Sequence, residues 1–178
     1  VVEGVEANRI YEVAEPEGPP PAPAPAAPAT MAPARFEDVS AALNHVHVDE
    51  DFDDWALQPT LPRRLSRLGP GLAWFDVDGD GWEDLLVAGG REGSLGILRN
   101  QQGRAWSAAT NAPKATGDQS AVLGWHDGRG SRSILVSLSN AESPPGTASQ
   151  LEVYPAADPA RPASIPLGNH APGPMVAS

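Results

Sequence analysis

Residues 76–84 read DVDGDGWED and lie between the apolar runs GLAWF (71–75) and LLVA (85–88). Asp stands at relative positions 1, 3, 5 and 9, with Gly at 4 and 6. That pattern gathers hard oxygen donors on a backbone that can turn sharply, which is what a calcium ion needs. An ordinary hairpin turn needs a single Asp-Gly pair. Four carboxylates this close repel one another unless a cation neutralises them. The spacing therefore predicts a Ca2+ loop, with the side chains of Asp76, Asp78, Asp80 and Asp84 as ligands, Asp84 bidentate, and the carbonyl of Trp82 at position 7. An EF-hand is excluded, because position 12 is Val87 rather than Glu and the flanks read as strands.

The pattern returns further along the chain. At an offset of 133 − 84 = 49 residues, DLLVA (84–88) aligns with SILVS (133–137), LAW (72–74) with AVL (121–123), and Gly79 and Gly81 with Gly128 and Gly130. At that offset Asp78 falls on Asp127, while Asp76, Asp80 and Asp84 fall on Trp125, Arg129 and Ser133. The second loop is expected to keep its turn without its cation, with the Arg129 guanidinium near the ion's place.

Each copy offers four strands: near 71–76, 84–89, 94–99 and 104–107, then near 120–125, 133–138, 149–154 and 162–166. GPMVA (173–177) is similar to GPGLA (69–73), the start of a third copy. Four antiparallel strands per repeat of about 40–50 residues predict an all-β chain forming part of a β-propeller. It would hold a blade over 69–117 with the calcium loop, a second over 118–168 with the degenerate loop, and the start of a third over 169–178. A β-sandwich also has short strands but no reason to repeat a metal loop at a fixed period.

Three segments precede the first copy. Residues 1–17, VVEGVEANRIYEVAEPE, suggest a short strand pair that closes an upstream β module. Residues 18–34, GPPPAPAPAAPATMAPA, are nearly all Pro and Ala, which removes donors and fixes φ. They predict a semi-rigid polyproline linker or, alternatively, a ligand for proline-reading modules. Residues 35–68 form an acidic lead-in segment, in which Phe36–Ser40 reads as a strand start and Ser40 as the cap of a helical turn. His45 and His47, beside Asp49, Glu50 and Asp51, read first as part of a solvated acidic loop, since no third ligand stands at a metal-binding spacing; the alternative is a transition-metal site, because on a strand their spacing puts both imidazoles on one face. Arg63, Arg64 and Arg67 form a basic patch that could face this acidic segment.

The 178 residues carry 23 acidic and 12 basic side chains, a net charge of −11. Phosphate backbones are repelled by such a chain, so no nucleic-acid partner is expected. The absence of cysteine excludes disulfides and thiol catalysis within these residues. No apolar run approaches the ~18 residues of a membrane span. The chain begins at Val1 and ends on GPMVAS, which reads as a broken-off strand, so it is expected to be an internal piece of a longer protein. Calcium sites of the extracellular kind bind at roughly 0.1–1 mM, so an extracellular, cell-surface or periplasmic location is expected.

The calcium loop, its GPGLAWFDVDGDGWEDLLVAGG setting, the following LGILRNQQGRAW and the earlier FEDVS resemble the FG-GAP, or VCBS, repeat family in its ASPIC/UnbV branch, related to the cartilage acidic protein family. The resemblance implies propeller blades, a short C-terminal module ending in a segment similar to VVEGVEANRIYEVAEPE, and an exported protein used for adhesion or assembly. It also implies the ligand roles of Asp76, Asp78, Asp80, Trp82 (carbonyl) and Asp84. The leading functional expectation is a calcium-stabilised interaction module, whose open sheet faces are covered by the rest of its propeller or by other protein subunits. Two alternatives stand beside it. One is a propeller-based hydrolase, drawing on His45, His47 and nearby carboxylates or on His126 with Asp127. The other is a carbohydrate reader using Trp55, Trp82 or Trp106. No catalytic constellation is legible at a diagnostic spacing.

Overall fold

The order of strands in space repeats their order in the chain. The computed structural model describes residues 36–67, 69–109, 111–170, 172–173 and 175–176. Two single-turn helices come first, α1 (Ser40–Leu43) and α2 (Asp54–Leu57). One antiparallel sheet then follows in the order β1 (Leu72–Phe75), β2 (Asp84–Val87), β3 (Gly96–Asn100), β4 (Trp106–Ala109). A second has the order β5 (Gln119–His126), β6 (Arg132–Leu138), β7 (Ser149–Pro155), β8 (Ala163–Gly168). The all-β expectation and the strand positions agree with this architecture, in which neither sheet closes on itself. The upstream module (1–17) and the proline-rich linker (18–34) lie outside the described residues, and none of the described residues of 169–178 is in a strand. Among the described residues no helix is long and apolar enough to cross a membrane.

The two sheets share a core. Ladder pairing puts Ala73, Phe75, Leu86 and Ile97 on one face of the first sheet. They pack with Val122, Ile134, Val136 and Tyr154 of the second. Leu86, Ile97, Ile134, Val136 and Tyr154 are almost fully buried, each contributing about 1.5–3 kcal/mol of apolar burial. The central strands β2 and β3 are buried on both faces, which is why they read as unbroken apolar runs rather than alternating ones. On the opposite face Val87 and Leu98 are also buried. There the His45 ring lies against Gly96, and α1 packs on β4.

Close approach of β1 and β5 depends on two glycines. A Cβ on Gly71 would stand 2.8 Å from the Ala121 Cα, and one on Gly124 would overlap the Phe75 ring. The loop after β2 is tied to the first residue of β5 by a reciprocal pair of bonds: Gly89 N donates to Gln119 Oε1 (2.8 Å) and Gln119 N to Gly89 O (2.9 Å).

The lead-in segment packs onto this framework, with Gly90 N donating to Val48 O at 3.1 Å. Its internal anchor is Asp54, which is 2 % exposed. Asp54 Oδ1 accepts from Leu65 N (2.8 Å) and Ser66 N (3.0 Å), and Oδ2 from the Ser66 hydroxyl. Of the basic patch, Arg67 meets the acidic stretch, pairing with Asp51 at 2.8 Å, while the Arg64 guanidinium lies over the Trp55 ring instead. Two local expectations differ. Residues 36–39 form no strand, and Ser40 is the first residue of α1 rather than its cap. The N-cap position is Val39, which offers no side-chain oxygen, and from one residue further upstream Asp38 Oδ1 accepts from Ser40 N at 2.9 Å.

Candidate metal centre

The β1–β2 connection is organised by its own carboxylates. Asp76 Oδ1 accepts from Gly79 N (2.6 Å) and Asp80 N (3.2 Å), and its Oδ2 from Gly81 N (3.1 Å). Gly79 and Gly81 adopt φ of +83° and +89°, the left-handed conformation that lets successive N–H groups turn inward onto one side chain. Asp84 begins β2 and is 1 % exposed. Its Oδ2 accepts from Val77 N (3.0 Å) and its Oδ1 from Asn100 N (2.8 Å), so one buried carboxylate holds the loop to the end of β3. Burial pushes the Asp84 carboxyl upward, against the hydrogen bonds from Asn100 and Val77 that favour its ionised form.

Asp76, Asp78 and Asp84 bring one oxygen each within 4.8 Å of one another. Three carboxylate oxygens at this separation form a donor set that could hold a hard cation, so the residues fit a metal ion. Asp80 stands outside the trio, its Oδ1 taken by Trp82 N at 2.8 Å. The Trp82 indole is 45 % exposed and covers Gly103.

Two cations that sequence reasoning missed face the trio. Arg99 Nη1 lies 2.5 Å from Asp78 Oδ2. Arg132 Nη2, from the other sheet, lies 3.9 Å from Asp76 Oδ2. Arg99 had a legible signal: β2–β3 pairing of Leu85 with Leu98 carries Arg99 to the position opposite Asp84. Arg132 had none, because only sheet-on-sheet packing brings β6 to this loop.

In the second hairpin Gly128 and Gly130 also have positive φ, +70° and +103°, 49 residues beyond their counterparts. Asp127 Oδ1 accepts from Arg129 N and Ser131 N at 2.7 and 2.9 Å. Arg129 is exposed and has no ion pair among the described residues; Arg132, not Arg129, is the arginine of the second sheet that reaches an acidic loop, and it reaches the first one. The ladders also move one correspondence. Phe75 pairs with Asp84, whereas Gly124, 49 residues on, pairs with Ile134. The residue standing where Asp84 stands is thus the fully buried Ile134 (134 − 84 = 50) and not Ser133. An apolar side chain has replaced the buried carboxylate.

The remaining candidates are dispersed. His45 packs at Gly96 with its Nε2 lacking a partner among the described residues, and His47 lines a cavity beside Asp49. No metal-competent cluster among the described residues includes a histidine. His126 ends β5 on an exposed edge. Trp55 Nε1 donates to Leu61 O, and Trp106 packs against Trp74 with ring centroids 5.8 Å apart. No protein-family model, curated protein or solved structure matches the chain.

Proposed function

We propose that residues 69–168 are two consecutive blades of a calcium-binding β-propeller of the FG-GAP/VCBS type. In this reading the chain is a structural and protein-interaction module of a larger exported, cell-surface or periplasmic protein. The observation that carries the proposal is the convergence of Asp76, Asp78 and Asp84 at the mouth of the β1–β2 hairpin. Asp80 and the Trp82 carbonyl would complete the ligand set around a bound ion. The in-order meander of each sheet and the packing of β1 beside β5 support consecutive blades. So do the outer faces, on which Leu72 and Trp74 of one sheet and Trp125 and Ile165 of the other are exposed. Further blades or partner subunits would cover those apolar surfaces.

Calcium acts structurally here. It neutralises the loop and fixes the connection between two strands that Asp84 already ties to β3. Thermal unfolding of the full chain in calcium and in chelator tests this. With a dissociation constant of about 0.1 mM, 5 mM calcium adds about 2.3 kcal/mol, raising Tm by about 5–9 °C. Identical melting curves, with no heat of calcium binding, reject the proposal.

A second reading, carbohydrate recognition, draws on the exposed Trp82 ring near a recess lined by Asp80, Gln101, Gln102 and Arg104. An aromatic face beside planar polar groups suits sugar stacking. Glycan-dependent quenching of indole fluorescence that disappears in Trp82→Ala, with metal binding retained, is its signature.

A further inference from the structure

Four charged groups from four separate segments meet near a cavity of about 520 Å3, which Asp49 and Asp118 line. Asp49 comes from the lead-in segment, Arg91 from the β2–β3 loop, Asp118 from the residue before β5, and Glu142 from the β6–β7 loop. Asp49 packs so tightly on Gly90 that a Cβ there would overlap its carboxylate. Arg91 N donates to Asp118 Oδ1 (3.1 Å), and Arg91 Nε to Glu142 Oε2 (3.1 Å). The Glu142 side chain is 2 % exposed, yet its Oε1 has no hydrogen-bond partner among the described residues.

The Arg91 guanidinium is thus spent on Glu142, through Oε2 and the backbone carbonyl, while Asp118 meets only the Arg91 backbone N–H, and a buried Glu142 oxygen is left without a donor. If all three carboxyl groups were ionised the cluster would carry two uncompensated negative charges, with Asp49 exposed, Asp118 half-buried and Glu142 buried. A proton on Asp118, and one on Glu142, removes that excess. Burial, followed by the charge of Asp49, pushes Asp118 up to about 6. Burial, followed by the charge of Asp118, pushes Glu142 up to about 7. His47, Glu50, Asp51 and Arg67 also line the cavity, with Arg67 engaged by Asp51.

We propose that Asp49, Asp118, Glu142 and Arg91 form a proton-operated latch that holds residues 44–53 closed over the β2–β3 loop and releases them, opening the cavity, when Asp118 and Glu142 lose their protons. The bond that reports closure is Gly90 N to Val48 O. Both folded values lie above the ordinary carboxylate range, so the closed state binds protons that the open state gives up. Closure is complete at the acid side and is lost as pH rises through about 6 to 7. No metal or other ligand is required, so the latch stands independently of the calcium proposal.

Amide hydrogen exchange of the full chain in chelator, from pH 5 to 8.5 and corrected for intrinsic rates, tests it. Protection of the Gly90 amide and of residues 44–53 is expected to fall about tenfold or more between pH 6 and 7.5, one proton giving up to tenfold per pH unit. Asp118→Asn, and independently Glu142→Gln, should each shift or flatten that fall, with circular dichroism confirming the fold. Histidines ordinarily titrate in the same range, so His47→Gln and His45→Gln are the controls and should leave the fall in place. Protection that does not change with pH, a fall unaltered in both carboxyl variants, or a fall abolished by either histidine variant alone overturns the latch.

Discussion

Arg132, the first residue of β6, reaches across to the loop of the other sheet and sets its Nη2 3.9 Å from Asp76 Oδ2. Gly79 makes room for it, since a Cβ there would stand 2.8 Å from Nη1. With Arg99 on Asp78, the loop's negative charge is met by two guanidinium groups, one from each sheet. A cation entering the trio has to displace or outcompete at least one of them.

Arg99→Met therefore exchanges one effect for another. It removes a half-exposed ion pair, which costs about 0.5 kcal/mol or less of stability in chelator. It also frees Asp78 for the metal, and calcium affinity is expected to rise about fivefold, equivalent to about 1 kcal/mol. Isothermal titration of the variant beside the wild type measures both signs, and weakened calcium binding would show that the arginine supports the site.

Asp84 and Asp80 separate under mutation. Asp84→Ala leaves Val77 N and Asn100 N without their buried acceptor, and about 2–4 kcal/mol of stability is expected to disappear even in chelator. Asp80→Ala removes only the local contact with Trp82 N, so its loss in chelator should stay below about 1 kcal/mol, while the calcium-dependent rise in Tm shrinks. Urea denaturation with and without calcium distinguishes them.

Gly124→Ala drives a methyl group into the Phe75 ring at the closest approach of the two sheets, with an expected cost of about 1–3 kcal/mol. Phe75→Leu in the same chain should recover part of it. Gly128→Ala is the contrast, because its φ is +70° but nothing lies within 4 Å of the added Cβ. Its cost should be about 1 kcal/mol and insensitive to Phe75.

Asp54 makes part of the stability acid-sensitive. Burial alone would raise its carboxyl, but the Ser66 hydroxyl and the Leu65 and Ser66 amides outweigh burial and hold it below the ordinary value of 3.8. The ionised form is the one folding favours, so its contribution is fully present above about pH 4 and is lost as pH falls further. Asp54→Asn should lower stability by about 1–3 kcal/mol at pH 7 and flatten this acid limb. Chemical denaturation at pH 3, 5 and 7 checks it, and an unchanged acid limb would assign the dependence to other carboxylates.

Much of the framework was legible in the sequence. Apolar runs bounded by Asp and Gly located the eight strands, and Gly79, Gly81, Gly128 and Gly130 marked both turns, because strand alternation and turn chemistry act between residues a few positions apart. The same local logic picked out Asp76, Asp78 and Asp84. It did not separate Asp80 from them, since side-chain direction within a turn depends on which N–H each carboxylate meets.

What the amino-acid sequence determined by itself was therefore the meander of short strands and an acidic loop at the mouth of the first hairpin. The tertiary structure alone decided how that loop is neutralised, by Arg99 and Arg132. It alone put Ile134 in the place of Asp84 and gathered Asp49, Arg91, Asp118 and Glu142 near a cavity. The physical reason is range. Hydrogen bonds within a turn join neighbours, whereas charges compensate whatever burial brings near them, and here burial joins residues from separate segments and, for Arg132 and Asp76, from two different sheets.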